Sequence, residues 1–349
     1  MMSAFHKLSI KNYINETADA VSLIFDIPEN LKPNFSFKAG QYVTLKTIIK
    51  GKEIRRSYSI CSAPESGELK VAIKKVENGV FSTYAISQLK IGDILEVREP
   101  EGKFILEYSR SSNYIGFAAG SGITPVLSMI KSVLQQEPSS SFTLIYGNKS
   151  SDKTMFKAEL DALSIEYDRR FNLQYLFSRQ NEEGSLFGRI DKEHTNYFIK
   201  NIYKNWSFKT AFLCGPEEMI QTVSTTLREN HFKESQILFE LFTASIDEEN
   251  SAQIKEGRTE VTVLLDDEEI RFTMKQSDDI LAAALRNNID APYSCQGGVC
   301  SSCIGKVTQG TAVMVKNSIL TDDEVSDGII LTCQAHPTTS KISIDYDDV

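Results

Sequence analysis

No stretch of this 349-residue chain approaches the roughly 20 apolar residues that a membrane-crossing helix requires, so no such span is expected. Histidine is scarce. His6, His194, His231 and His336 are scattered, which leaves neither a His-rich metal motif nor the paired histidines of a Rieske centre. Excess positive charge is missing too: the formal net charge is −9, the wrong sign for a nucleic-acid partner. Met1 to Lys7 show no apolar core followed by a small-residue cleavage site, so a signal peptide is not expected. The usual pairings of a nucleophile with a base are not visible, which points away from covalent hydrolytic chemistry. Cysteine is limited to six residues, and Cys61 and Cys214 are isolated, which argues against a secreted disulfide framework. The expectation is a cytoplasmic protein.

The negative charge is unevenly spread. Residues 259–349 carry 15 Asp and Glu against 6 Lys and Arg, whereas residues 1–258 carry 32 of each. An acidic C-terminal segment suits long-range steering toward a partner with a basic face, although the same charge also serves solubility.

That segment contains the most specific motif. Cys295, Cys300 and Cys303 fall as C-x4-C-x2-C with Cys333 far downstream, the spacing of plant-type [2Fe-2S] ligation. Soft thiolate sulfur suits iron and sulfide, and Gly297 and Gly298 are expected to let the loop bend and aim N–H groups at the sulfurs. A structural zinc site is the alternative, but zinc motifs commonly come as two C-x2-C knuckles, and only Cys300 and Cys303 make one.

The length predicts two or three domains. Over residues 1–108, short strands such as Tyr42–Leu45, Tyr58–Ile60 and Leu69–Ile73 predict an antiparallel β-barrel. Over 109–245, strands at 114–119, 142–146, 173–177 and 210–213 alternate with helices from Pro125, near Met155–Leu163 and over Glu217–Glu229, which predicts an α/β parallel sheet. Residues 246–258 are polar and aperiodic and read as a linker. Over 259–349, a hairpin of Val261–Leu265 with Ile270–Thr273 and a helix over Asp278–Asn287 predict an α+β module.

Softer motifs gain weight from their order. In Arg56-Ser57-Tyr58-Ser59, a guanidinium that pairs bidentately with phosphate shares a strand face with an aromatic ring, beside hydroxyls; such a strand suits a flavin dinucleotide. Gly79 and Ser82 offer a turn at a helix start, suited to a pyrophosphate or to simple capping. Gly120, Gly122, Thr124 and Pro125 form a phosphate-type loop after an apolar strand, with Thr124 as helix cap and Pro125 at the first helical position, although Pro125 stands where the dinucleotide fingerprint has its third glycine. Cys214-Gly215-Pro216 joins another strand to a helix at the edge where ligands of such sheets bind. Ser178 and Arg179 end the strand over 173–177. A hydroxyl and a guanidinium there suit a 2′-phosphate, hence NADPH rather than NADH.

Taken in order, these motifs resemble the ferredoxin–NADP reductase-type flavoproteins that carry a C-terminal plant-type ferredoxin domain, and the likeness covers essentially the whole chain. Ile145-Tyr146-Gly147-Asn148, Gly188-Arg189-Ile190-Asp191 and Thr332-Cys333-Gln334-Ala335 support it. The resemblance implies an FAD-binding barrel, an NAD(P)-binding domain and a β-grasp [2Fe-2S] domain. Arg56, Ser57, Tyr58 and Ser59 would hold FAD, with Tyr58 stacked on its ring system, and Gly79 and Ser82 would meet its pyrophosphate. Gly120, Gly122, Thr124, Pro125, Cys214, Gly215 and Pro216 would frame the nicotinamide nucleotide. Ser59, Cys214 and Glu240 would lie at the hydride-transfer site, with Phe242 covering the flavin. It further implies electron flow from nicotinamide through flavin, where two electrons become single ones, to the cluster and then to an oxygenase. Other acceptors of the same architecture and a non-catalytic nucleotide-binding sensor are the alternatives.

Overall fold

The structure is a computed structural model that describes residues 5–242, 248–254 and 256–349. Two compact units divide the chain, with Phe5–Phe242 forming the larger.

The larger unit begins with β1 (Phe5–Thr17), β2 (Ala20–Asp26), β3 (Tyr42–Ile49), β4 (Lys52–Ser59), β5 (Leu69–Lys74), helix α1 (Val80–Ser87) and β6 (Ile94–Arg98). The antiparallel order is β4-β3-β6-β1-β2-β5. Its two edges meet through an Ile60–Val71 bridge, and the Cys61 N–H donates to the Lys70 carbonyl at 2.9 Å, so the sheet closes on itself as a barrel. Alternation along the pleat sends Leu8, Ile10, Val43, Leu45, Val71 and Ile73 into one core.

The same unit continues with β7 (Asn113–Ala119), α2 (Ile123–Gln136), β8 (Ser141–Asn148), α3 (Lys157–Glu166), β9 (Phe171–Phe177), β10 (Leu186–Phe187), α4 (Lys192–Asn196), β11 (Phe208–Cys214), α5 (Glu217–Glu229) and β12 (Ile237–Glu240). All pairings are parallel, in the order β10-β9-β8-β7-β11-β12. The chain winds one way from β7 to β10 and then back to β11 on the other side, so the switch point lies between β7 and β11. β8 is buried along its whole length, its polar Ser141, Thr143 and Asn148 included, as suits a strand inside a parallel sheet.

Two expected helix boundaries shift. The helix expected near Met155–Leu163 begins instead at Lys157, because Ser151–Lys153 form a 3-10 turn and Phe156 takes a left-handed φ of 58°. The helix expected from Pro125 begins at Ile123, with Gly122 as its N-cap and no side-chain cap. Thr124 therefore lies inside the first turn, its hydroxyl donating to the Ser121 carbonyl at 3.0 Å. Pro125 sits at the third helical position, still in the turn whose N–H groups need no helical partner.

The smaller unit contains α6 (Glu248–Ser251), β13 (Arg258–Leu265), β14 (Glu268–Lys275), α7 (Ile280–Arg286), β15 (Ile304–Gln309), β16 (Ala312–Met314), α8 (Asp322–Ser326), β17 (Ile329–Leu331), β18 (Ala335–Pro337) and β19 (Lys341–Asp345). Its main sheet runs β14-β13-β19-β15-β17, with β13 and β19 parallel, and β16 pairs with β18 separately. The hairpin turns at Asp266 and Asp267, both with positive φ, the two-residue geometry that matches strand twist. Ile280, Leu281, Ala283 and Ala284 of α7 share a core with Val261, Val263, Ile342 and Ile344, giving the expected α+β grasp of sheet over helix. Of the residues expected to form a linker, 246, 247 and 255 lie outside the described residues; Glu248–Ser251 make a helical turn and Arg258 opens β13.

Candidate active site and iron–sulfur centre

The end of β4 and the carboxyl edge of the parallel sheet meet in one place. Register pairing sets Cys214 of β11 beside Glu240 of β12 on one side and Ala118 of β7 on the other. From the barrel, Ser59 donates its hydroxyl to Glu240 Oε2 at 2.9 Å. Three residues that are far apart in sequence thus form one polar group at the switch point.

Burial controls the protonation of this group. Loss of water pushes the Glu240 carboxyl up to about 8, with the Ser59 hydrogen bond opposing. Cys214, fully buried, is raised well above the ordinary thiol value by burial first and by the neighbouring Glu240 second. At neutral pH the thiol keeps its proton, and the carboxyl holds one over much of the range.

A folded pKa above the unfolded one means the folded chain binds more protons between the two values, so stability falls as pH rises from about 4.5 to about 8 and then levels off. The loss attributable to Glu240 across that window is on the order of a few kcal/mol. Wild type is therefore expected to lose that much relative to Glu240→Gln between pH 5 and pH 8 in denaturant unfolding. Parallel stability curves for the two proteins would refute the assignment.

Arg56 and Tyr58 project from one face of β4, both half-buried, and Tyr58 lies 5.6 Å from the Phe81 ring of α1, centroid to centroid. Burial raises the Tyr58 phenol far above its ordinary value, so it stays neutral. Ser57 occupies the opposite face, its hydroxyl 3.5 Å from that of Thr44. Gly79 is the N-cap of α1. The Ser82 hydroxyl accepts from Val76 N at 3.1 Å and reaches the Gly79 carbonyl at 3.4 Å, so it shapes the turn, while the first-turn N–H groups have no helical partner. A guanidinium and an aromatic ring on one strand face, with helix α1 packed against that ring, form a set that fits a flavin dinucleotide.

At the parallel edge, Gly120 has φ 55°, and a Cβ on Gly122 would overlap the carbonyl of Cys214. Gly120 thus supplies the left-handed turn after β7, and Gly122 the close backbone approach to the Cys214-Gly215-Pro216 turn. Pro216 is the N-cap of α5. Sequence reasoning did not single out Lys74. The barrel brings its ammonium within 3.7 Å of where a Gly120 Cβ would stand, and burial, reinforced by Lys149 and Lys153, lowers its pKa while Asp19 opposes. No sequence signal marks Lys74, because its proximity to the loop arises from packing of the barrel on the α/β sheet.

Ser178 and Arg179 follow β9, with Ser178 N donating to Asn148 O at 3.0 Å and Arg179 N to Lys149 O at 2.9 Å. These bonds hold the backbone and leave the Arg179 side chain exposed. Phe242, also exposed, stands two residues beyond Glu240.

In the smaller unit the four cysteines gather as two pairs. Cys295 lies beside Cys300 and Cys303 beside Cys333, and within each pair the partner thiol is the first influence on ionisation. The Cys300 thiol and the backbone N–H groups of Gly297, Val299 and Cys300 push Cys295 down to about 6, and the Cys303 thiol likewise lowers Cys333, while Cys300 and Cys303 are raised. Among the described residues, no three His, Cys, Asp or Glu side chains converge on a point suited to one metal ion. Two pairs of thiols, each with one member disposed to ionise, fit two irons with two protein sulfurs apiece.

The loop conformation differs from expectation in one respect. Left-handed φ values fall at Gln296 (54°) and Gly298 (73°), whereas Gly297 contributes its N–H to Cys295 Sγ at 3.3 Å. Thr332 fixes the fourth cysteine beside the third: its N–H and its hydroxyl both donate to the Cys303 carbonyl, at 3.0 and 2.9 Å.

Comparison with known proteins agrees with each part. Residues 7–106 match the oxidoreductase FAD-binding domain, 117–225 the oxidoreductase NAD-binding domain and 263–338 the 2Fe-2S iron-sulfur cluster binding domain. The chain belongs to the family of ferredoxin–NADP reductase-type flavoproteins with a C-terminal plant-type [2Fe-2S] domain, and it is an NAD(P)H-dependent flavin and iron–sulfur oxidoreductase. Among its relatives is one of the subunits of the 1,2-phenylacetyl-CoA epoxidase of Escherichia coli K12, 38% identical over 99% of both chains. The ferredoxin reductase component of 3-ketosteroid-9-alpha-monooxygenase from Rhodococcus rhodochrous is 29% identical, covering 97% of this chain and 96% of that one. Phthalate dioxygenase reductase shares the fold, with a TM-score of 0.65 at 24% identity over 98% of each chain.

Proposed function

We propose that this chain is the reductase component of a multicomponent oxygenase, passing electrons from NADPH to an oxygenase whose substrate is phenylacetyl-CoA. The observation that carries the reading is the Ser59–Glu240–Cys214 group, which joins the flavin-type strand to the nucleotide-type edge, on a chain alignable end to end with a component of a phenylacetyl-CoA epoxidase. When bound, FAD supplies acceptance of a hydride and [2Fe-2S] supplies single-electron transfer.

The chain's own residues do the positioning. Arg56 and the first turn of α1 bind diphosphate charge, and Tyr58 offers its ring face. Ser59 and Glu240 hold a hydrogen-bonded proton beside the reacting atoms, while Cys214 presents a neutral thiol to the nicotinamide. Phe242, exposed two residues beyond Glu240, would be the residue to cover the flavin face. Gly120, Gly122, Thr124, Pro125, Gly215 and Pro216 frame that nucleotide, and Ser178 and Arg179 bind its 2′-phosphate. Cys295, Cys300, Cys303 and Cys333 hold the cluster. Asp322, Asp323 and Asp327 of the acidic unit are exposed and suit docking to a basic face of the oxygenase. The division into domains at 1–108, 109–245 and 259–349 belongs to this proposal, as does a cytoplasmic location.

Purified protein should reduce cytochrome c with NADPH, and with the di-iron oxygenase component it should drive epoxidation of phenylacetyl-CoA. Reduction of cytochrome c without epoxidation would place the chain with another oxygenase, such as a ring-hydroxylating dioxygenase, or with a desaturase or a hybrid-cluster protein. No reduction of either would leave only a nucleotide-binding sensor.

A further inference from the structure

The residue after the fourth cysteine is not a bystander. Gln334 is only 8% exposed, and its amide nitrogen points back at the ligand loop. Gln334 Nε2 donates to Gln296 O at 3.1 Å and to Cys333 O at 2.8 Å, and lies 3.6 Å from Cys333 Sγ, within the range of hydrogen bonds to sulfur. Its Cγ packs against Gly298, where a Cβ would sit 3.1 Å from it and 3.0 Å from Lys316 Cβ. The glycine at 298 thus leaves room for this side chain, and the side chain spans the loop bearing Cys295, Cys300 and Cys303 and the segment bearing Cys333.

We propose that Gln334 sets the reduction potential of the cluster: one amide N–H is fixed on the Gln296 carbonyl, which directs the other toward Cys333, where it is shared between the carbonyl and the sulfur. Reduction adds one electron to the metal–sulfur unit, and charge spreads onto its sulfurs. A donor aimed at one of them stabilises the reduced state more than the oxidised one, and so raises the potential. The bond to the Gln296 carbonyl matters because an amide free to rotate would not favour the sulfur. Two backbone acceptors and a packed Cγ leave this one little freedom. Gln334 is thus a positioning residue that acts through Cys333, and the inference rests on these cysteines carrying the [2Fe-2S] cluster.

The test is a mediator titration of the full-length holoprotein, following the EPR signal of the reduced cluster, with iron and sulfide contents measured alongside. Gln334→Met keeps the side-chain length but removes the donor. At a fixed mediator potential its ratio of reduced to oxidised cluster should fall about tenfold, equivalent to a shift of about 59 mV for one electron. Gln334→Glu keeps the shape, removes the donor and adds negative charge, so its ratio should fall further. An unchanged ratio in either fully loaded variant overturns the proposal. Loss of the cluster from both assigns Gln334 to holding the loop and likewise overturns it. Wild-type protein without a [2Fe-2S] signal would instead defeat the underlying cluster assignment, so the two failures are distinguishable.

Discussion

In Cys300→Ser, electron delivery to the oxygenase is expected to fall to background while bleaching of the flavin by NADPH proceeds at nearly the wild-type rate. Cys300 pairs with Cys295, and its thiol is the first influence on the ionisation of that partner. Serine keeps the shape but offers hard oxygen in place of soft sulfur, and so weakens the hold on iron. The flavin-type strand, the helix start and the Ser59–Glu240–Cys214 group all belong to the other compact unit, Phe5–Phe242, which the substitution leaves untouched. Stopped-flow absorbance at the flavin band, with iron analysis of the same sample, checks both halves of the result. Equal loss of flavin reduction would mean the two sites do not act as separable stations.

Arg179→Ala is expected to raise the KM for NADPH by roughly tenfold or more, with NADH changed little. A charge-assisted guanidinium–phosphate interaction contributes about 1.5–3 kcal/mol, and each 1.4 kcal/mol is tenfold in affinity. Exposure of Arg179 in the free protein places the effect toward the lower end, because water competes for the same donors. Backbone hydrogen bonds from Ser178 and Arg179 to Asn148 and Lys149 hold the segment in place without the side chain, so alanine should not disturb the fold. Steady-state kinetics with both nucleotides decide the matter. Equal loss with NADPH and NADH would remove the 2′-phosphate role from Arg179.

The sequence determined the local features. Cysteine spacing singled out Cys295, Cys300, Cys303 and Cys333 as the candidate ligands, because three of them fall on one short loop, where spacing alone carries the signal. Periodicity located β8, β11, the hairpin of β13 and β14, and α5, because long apolar patterns in those segments agree with their local propensities. It was less reliable where a single backbone angle moves a boundary: Phe156 and Gln296 take left-handed conformations that no neighbour announces, and Thr124 lost its expected capping position once Gly122 began the helix earlier.

Only the tertiary structure decided what meets across long chain separations. Ser59 and Glu240 are 181 residues apart and share one hydrogen bond. The raised Glu240 carboxyl is a consequence of burial, which no residue type encodes by itself. Lys74 reaches the Gly120 loop because the barrel packs on the sheet, and Gln334 reaches Gln296 because Thr332 ties the fourth cysteine to the third. Residue types and spacing name the groups that can bind and react. Packing removes their water and sets their separations, and those two quantities fix the energies on which the chemistry depends.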